Sequence, residues 1–383
     1  MSDFLPQEII RKICFSLPTE TVGKCRCVCL SWNIMLSDPN FIEAHSKINY
    51  PHYLNNVILI SSANTSHLFS ITLPADAGVL AAPVAKTINL VQFRQVLWEN
   101  IVGSCRGLIL MLGEEQQRLD CKKHDKQVIV YEKYLTNPTT LKIVKVPTNP
   151  FTLDMKKTTV NGFDYLNLHG FGYDCTSDDF KIVTLYSISN YRIHPSPSNK
   201  NNWAIDVFSL NSGIWRRLSI SLDDDYWPPY VTNGPYTVVA AFRLNQENFE
   251  YFKAPTGIVI DYRTSTQLVN LGEKLGIVVN DFSDDYILWT MESYGAGKSW
   301  TKVLVSRATK RFASSFEPIC LLSEDEILVS LGFRRKKLAV YNLKDKIWRD
   351  VLVTEMPHLH TVMAFEKTLI SPNFPRDQNL GQD

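Results

Sequence analysis

Five stretches of this chain, YLTNPTTLK, VFSLNSGIW, VIDYRTSTQL, VSRATKRF and VYNLKDKIW, each have the pattern strand, turn, strand, and their recurrence constrains the fold more than any other feature. Aligning the turn starts brings Asn137, Ser209, Asp261, Ser306 and Asn342 into register at intervals of 72, 52, 45 and 36 residues, the first being twice the last. A unit of roughly 40–50 residues built from four strands is the size of a propeller blade. Strands are predicted at Asn56–Ser61, Leu108–Leu112, Phe180–Tyr186, Trp203–Leu210, Thr237–Phe242, Gly257–Asp261, Tyr286–Met291, Lys302–Ser306, Ile327–Leu331 and Lys337–Tyr341, all rich in Val, Ile, Leu and aromatics and divided by turn residues. A doubly wound fold needs a long helix between most strands, and no such helix interrupts these. The expected body is therefore an all-β domain, a β-propeller, with a twisted β-sandwich as the alternative.

Residues 1–47 have a different texture. Ile9, Ile10, Ile13, Cys14 and Leu17 recur at helical spacing, and Pro18 ends that helix. A second segment spans about Thr19 to Cys29. Ser31 is the expected cap of a third, which holds Trp32, Met35 and Leu36. Asp38-Pro39 is the start signal of a fourth, carrying Phe41 and His45 four apart. Of residues 4–45, 21 of 42 are apolar, more than a unit of that size can bury within itself. The surplus must pack on the rest of the chain or dock on a partner. The whole is α+β and multidomain: a small all-α unit, then an all-β one.

Charge narrows the function. Forty basic residues against 39 acidic give +1, without the positive excess that nucleic-acid binding requires. The longest nearly unbroken apolar run, Val79 to Ala85, contains Pro83 and is far short of the ~18–20 residues that span a bilayer. Asp3, Glu8, Arg11 and Lys12 break up the first twenty positions, so no secretory signal is expected there. Eight cysteines at 14, 25, 27, 29, 105, 121, 175 and 320 include no CxxC pair, and reduced, packed thiols in a cytoplasmic or also nuclear protein are expected rather than a metal site. Cys25 and Cys29 share a face only if that stretch is helical.

Each string that hints at chemistry has a plainer reading. Gly295-Ala296-Gly297-Lys298-Ser299 ends like a phosphate-binding loop, but Glu292 stands where glycine is required and a strand follows, so a hairpin is expected. Gly103-Ser104-Cys105-Arg106-Gly107 has cysteine where a nucleophile elbow has serine, and it reads as a tight glycine turn before a strand. The carboxylates Asp174, Asp178 and Asp179, the run Asp223–Asp225, and Asp281, Asp284 and Asp285 lack the glycine of a calcium loop and read as solvated turns. His358 and His360 stand alone. Arg334, Arg335, Lys336 and Lys337 read as a charged hairpin tip. No catalytic residue, metal or cofactor is assigned.

The helical opening resembles an F-box, the adaptor-docking module of SCF ubiquitin ligases, through Leu5-Pro6-Gln7-Glu8, Leu17-Pro18, Arg26-Cys27-Val28-Cys29 with Trp32, and Asp38-Pro39-Asn40-Phe41 ending in His45. Gly23 and Cys25 depart from the larger apolar residues usual there, and glycine in a helix costs roughly 0.5–1 kcal/mol. The β part resembles the plant F-box-associated domain. GSCRGL at 103–108 is similar to its GSCNGL, Asn137-Pro138-Thr139-Thr140 to its NPxT turn, and Gly170-Phe171-Gly172-Tyr173-Asp174 with Asp179-Phe180-Lys181-Ile182-Val183 to its GFGYD…DYKVV stretch. VFSLNSGIW and LWTMESYGAGKSWTKV continue the likeness, whereas Asn233-Gly234-Pro235-Tyr236-Thr237 lacks the family's His and Trp. Within this family the general likeness is to the S-locus F-box and S-locus-like proteins of pollen.

The resemblance implies an F-box at 1–47, a connector at 48–55, a kelch-like propeller that holds the target at 56–372, and a flexible tail at 373–383. It also implies a Skp-type adaptor bound by Leu5, Pro6, Ile9, Ile10, Ile13, Leu17, Pro18, Val22, Val28 and Trp32, with a cullin and a RING subunit reached through that adaptor. The target is an unidentified protein whose binding residues the resemblance does not name. For an S-locus pollen factor the target would be an S-RNase. Neither nucleic acid nor membrane is among the implied partners.

Overall fold

The computed structural model describes residues 6–49, 56–61, 67–73, 84–88, 96–115, 132–151, 164–189, 203–219, 238–256, 258, 265–272, 274–280, 285–294, 299–306, 316–332, 337–353 and 359–374. Four helices come first: α1 (Gln7–Phe15), α2 (Thr19–Cys25), α3 (Leu30–Leu36) and α4 (Pro39–Ile48). Pro6 and Pro18 occupy the N-caps of α1 and α2, where an N–H would have no helical partner. Asp38 caps α4 as its sequence predicts, its carboxylate accepting from the Phe41 N–H at 3.0 Å. The cap of α3 is Cys29 rather than Ser31. The Cys29 carbonyl already accepts the Asn33 N–H at 3.0 Å, so the helix begins two residues earlier than a Ser31 cap would allow. Because α2 stops at Cys25, Cys27 and Cys29 lie beyond it and share no helical face with it.

The strands form antiparallel sheets around one axis. The first blade contains β1 (Asn56–Ser61), β2 (Leu68–Thr72) and β3 (Lys86–Ile88), and the second β4 (Val96–Cys105), β5 (Leu108–Glu115), β6 (Glu132–Asn137) and β7 (Lys142–Lys145). The third holds β8 (Asp164–Asp174), β9 (Asp179–Ser189), β10 (Trp203–Ser209) and β11 (Ile214–Leu218), and a two-stranded sheet follows, β12 (Val238–Arg243) with β13 (Asn248–Lys253). β14 (Ser265–Leu271), β15 (Lys274–Asn280), β16 (Asp285–Met291) and β17 (Trp300–Ser306) make the fourth blade. The fifth is β18 (Phe316–Leu321), β19 (Glu326–Leu331), β20 (Lys337–Asn342) and β21 (Trp348–Asp350). The last strand, β22 (Leu359–Phe365), returns to pair with β1 and completes the first blade as its fourth strand. The body is thus a propeller of five four-stranded blades, with the β12–β13 pair between the third and fourth.

Apolar clusters fill each junction between neighbouring sheets. Ile58 meets Trp98 and Tyr134, Leu110 meets Phe208 and Trp215, and Val207 meets Phe242 and Phe249. Phe252 meets Ile277, Tyr286 stacks on Phe316, and Leu328 and Val340 meet Val57 and Ile71. Every sheet is covered on both faces by its two neighbours, which a two-layer sandwich cannot provide, so the sandwich alternative falls. Three tryptophans add a polar tie. Trp215, Trp300 and Trp348, each on or at the start of a blade's fourth strand, donate their indole N–H to carbonyls at the end of the preceding sheet: Pro147 at 2.7 Å, Lys253 at 3.1 Å and Ser306 at 2.8 Å.

One turn recurs in five hairpins. The residue four positions after the turn start has positive φ at Leu141, Asp178, Gly213, Glu247 and Lys346, which returns the chain to the partner strand with the right twist. Asn137, Ser209 and Asn342 start three of these turns, each joining the third strand of a blade to the fourth, as the repeat predicts. Ser306 does not. It ends β17, a fourth strand, so its turn-like sequence belongs to a crossover between blades. Asp261, and the strand predicted around it apart from Ile258, lie outside the described residues. The phosphate-loop look-alike links β16 to β17, paired in register from Met291 with Trp300, so a strand follows it and no helix.

Candidate functional site

The helices build a core from Cys14, Val22, Met35, Leu36 and Phe41, joined by Leu369 from the C-terminal segment, with Ile10, Phe15, Leu17, Cys25, Trp32 and Ile42 packed around it. Phe41 stacks on Phe15 with ring centroids 4.6 Å apart, and the Arg11 guanidinium lies 5.6 Å from each ring. Buried His45 donates from Nε2 to the Leu17 carbonyl at 2.9 Å, an oxygen that can only accept, and so fixes the α1–α2 corner. Arg26 grips the Leu36 carbonyl through Nε and a terminal nitrogen at 3.0 and 2.7 Å, closing α3 against the end of α2.

With that core filled, large aliphatic side chains remain in solvent. Ile9 and Ile13 form an i, i+4 row on α1, at 41% and 48% exposure. Leu30 and Ile34 form a second row on α3, at 74% and 66%, and Val28 between the helices is 64% exposed. Exposed apolar rows of this kind on a small unit mark a docking surface. Of the residues predicted to bind an adaptor, Ile9 and Ile13 stand in these rows and Val28 is exposed between the helices, while Pro6 and Pro18 are exposed at helix starts. Ile10, Leu17 and Trp32 are partly buried against the core. Val22 is fully buried, on the inward side of α2, so it is a core residue with no surface to offer a partner. Leu5 lies outside the described residues. Leu30 and Ile34 escaped the sequence reading although their four-residue spacing is a legible signal.

The segment after β22 joins helices to propeller. Leu369, 2% exposed, belongs to the helical core. Lys367 pairs with Glu20 at 2.9 Å and donates to Thr72 on the first blade at 3.1 Å, and its carbonyl accepts from Thr19 at 3.2 Å. Thr368 donates to the Arg106 carbonyl at 3.0 Å, and Phe374 packs edge-on against Phe208 of the third blade, centroids 5.3 Å apart. Phe374, expected in a flexible tail, is held by that aromatic contact.

The strings shared with the F-box-associated pattern turn out to hold this frame. Asn137 is fully buried; its amide donates to the Thr368 and Ile370 carbonyls at 3.0 and 2.7 Å while its oxygen accepts from the Thr139 and Thr140 N–H groups. Arg106 and Gly107 make the two-residue turn between β4 and β5, both with positive φ, and a Cβ on Gly107 would lie 2.2 Å from the Thr368 hydroxyl. Cys105 beside them is a poor nucleophile: burial and the nearby Glu366 push its thiol up to about 11. Asp174 and Asp179 are structural too. Buried Lys181 bonds Asp174 at 2.8 Å, the Leu244 carbonyl at 2.9 Å and Glu247 at 3.0 Å, tying the third blade to the β12–β13 hairpin, and holds the Asp174 carboxyl far below the usual carboxylate range. Asp179 accepts from the Ser209 hydroxyl at 2.5 Å and the Asn211 N–H at 2.9 Å. Among the described residues no group of three His, Cys, Asp or Glu is placed to hold a metal, and no helix is long and apolar enough to cross a membrane.

The comparisons with known proteins agree with this division. The family model described as F-box associated beta propeller domain matches residues 57–373, and the F-box domain model matches residues 3–43. F-box protein CPR1 of Arabidopsis thaliana is 22% identical over 398 residues, covering 96% of this chain and 88% of the relative. F-box/kelch-repeat protein At3g23880 of the same plant is 22% identical over 395 residues, covering 96% of each chain. F-box/LRR-repeat protein At2g43260, also of Arabidopsis thaliana, is 24% identical over 381 residues, covering 90% of this chain and 78% of the relative.

Proposed function

Because the chain belongs to the F-box associated beta propeller domain family and carries an F-box ahead of that domain, we propose that it is a substrate-recognition subunit of an SCF ubiquitin ligase. The F-box helices dock on a Skp-type adaptor, which links them to a cullin and its RING subunit, and the propeller holds a target protein for ubiquitination and degradation by the proteasome. The observation that carries this reading is the pair of exposed rows, Ile9 with Ile13 and Leu30 with Ile34, which the filled core beneath the helices leaves in solvent. The role is non-catalytic: holding an acceptor lysine beside a loaded conjugating enzyme raises its effective concentration, and this chain supplies the geometry. The narrower reading, an S-locus-type pollen factor for S-RNases, rests on sequence likeness alone. The cytoplasm or nucleus suits seven described cysteines that are all free thiols.

The test is affinity purification of the tagged full chain from plant cells with the proteasome inhibited, followed by mass spectrometry. Adaptor, cullin and a ubiquitin-modified client recovered together are the expected result. Recovery of adaptor without cullin would turn the assignment into a scaffold that delivers nothing to a ligase, and recovery of neither would remove it.

A further inference from the structure

Gly23 sits within α2, where glycine weakens a helix, and it faces the C-terminal segment. A Cβ built there would be in ordinary van der Waals contact with Leu369 Cδ2 at 3.7 Å, so the leucine of the C-terminal segment lies against α2 at this position. A side chain longer than alanine's at 23 would meet Leu369, although 346 residues separate the two in sequence. The same segment reaches α2 through Thr19 and Glu20, the first blade through Thr72, the second through Arg106 and Asn137, and the third through Phe208. Such a set of contacts fixes an orientation, beyond mere attachment.

We infer that residues 366–374 form a positioning strap: Leu369 completes the helical core over Gly23 and holds the adaptor-docking helices at one fixed attitude to the propeller. The two units therefore move as one body. The consequence for a ligase, a constant distance between adaptor and bound target, rests on the function proposed above; the strap itself does not.

Two measurements on the free full-length chain test it. The first is amide hydrogen exchange. Leu369→Ala should speed exchange across α2 by about thirtyfold or more while β14–β17 keep their wild-type rates. The second is the distribution of distances between spin labels carried by unnatural amino acids at Lys47 on α4 and Ser212 in a third-blade turn, both exposed. That distribution should be narrow in the wild type and several-fold broader in Leu369→Ala, with helix content retained. Gly23→Leu should reproduce the broadening, and the exchanged pair Gly23→Leu with Leu369→Gly should narrow it again. An unchanged distribution in Leu369→Ala, or faster exchange in β14–β17 as well, would overturn the inference, the first by denying the strap a positioning role and the second by making it a general stabiliser. Failure of the wild type to bind an adaptor would sink the proposed ligase role and leave both readouts standing.

Discussion

The Asn137 side chain uses both ends of its amide: it donates to two carbonyls of the strap and accepts from two N–H groups of its own turn. Asn137→Ala strands buried polar groups on both sides and should cost about 3 kcal/mol in a denaturant titration. Gly107→Ala brings a Cβ against Thr368 at a φ of +76° and should destabilise by at least about 2 kcal/mol, the strap coming loose before the blades melt. A different kind of effect belongs to His169, whose imidazole burial, and secondarily the Lys133 charge, hold down to about 3. An unfolded histidine titrates near 6.5, so between these values the unfolded chain binds a proton that the folded one does not. Stability from this group is therefore complete above about pH 6.5 and is lost as pH falls toward 3. The expected loss between pH 6.5 and 5 is about 2 kcal/mol, and His169→Gln should flatten it; equal acid sensitivity in both proteins would contradict the assignment.

Among the elements, the helices separate core from surface in a way that mutation can read. Ile9→Asp and Ile34→Asp place a charge on exposed rows and should leave the thermal transition within about 0.5 kcal/mol of wild type. Val22→Asp buries the same charge in the helical core and should unfold the helices, costing several kcal/mol by circular dichroism and melting. The reverse ranking would show that the α1 and α3 rows are packed in solution. Much of this level was legible in sequence. Asp38-Pro39 announced α4, the apolar spacing announced α1, and the recurrent Trp at 215, 300 and 348 marks fourth strands more faithfully than the turn alignment, which misplaced Ser306. The F-box resemblance implies an adaptor contact at Val22, but a resemblance does not say which side of α2 faces inward, and Val22 is buried in the helical core. The strap was invisible because an irregular segment has no period, and the partners of Leu369, Thr368 and Lys367 lie hundreds of residues away.

For the whole molecule, one closure governs folding: β22 must find β1 across almost the full chain before the first blade exists. Contacts so distant in sequence close an expensive loop and slow folding. A chain ended before Leu359 lacks both that strand and the strap, and it should show no cooperative unfolding transition by calorimetry. On the proposed function, the closed ring lets two roles share one body, with adaptor contacts assigned to the helices and the target to the propeller. The measurement that bears most directly on this account is a pull-down of wild type and Ile9→Asp from plant cell extract, scored for adaptor and cullin. A buried unpaired aspartate costs several kcal/mol against the roughly 8 kcal/mol of a micromolar complex. Ile9→Asp should therefore recover neither adaptor nor cullin while still melting like the wild type, and recovery of both at wild-type levels would contradict the F-box role of these helices and the ligase assignment with it.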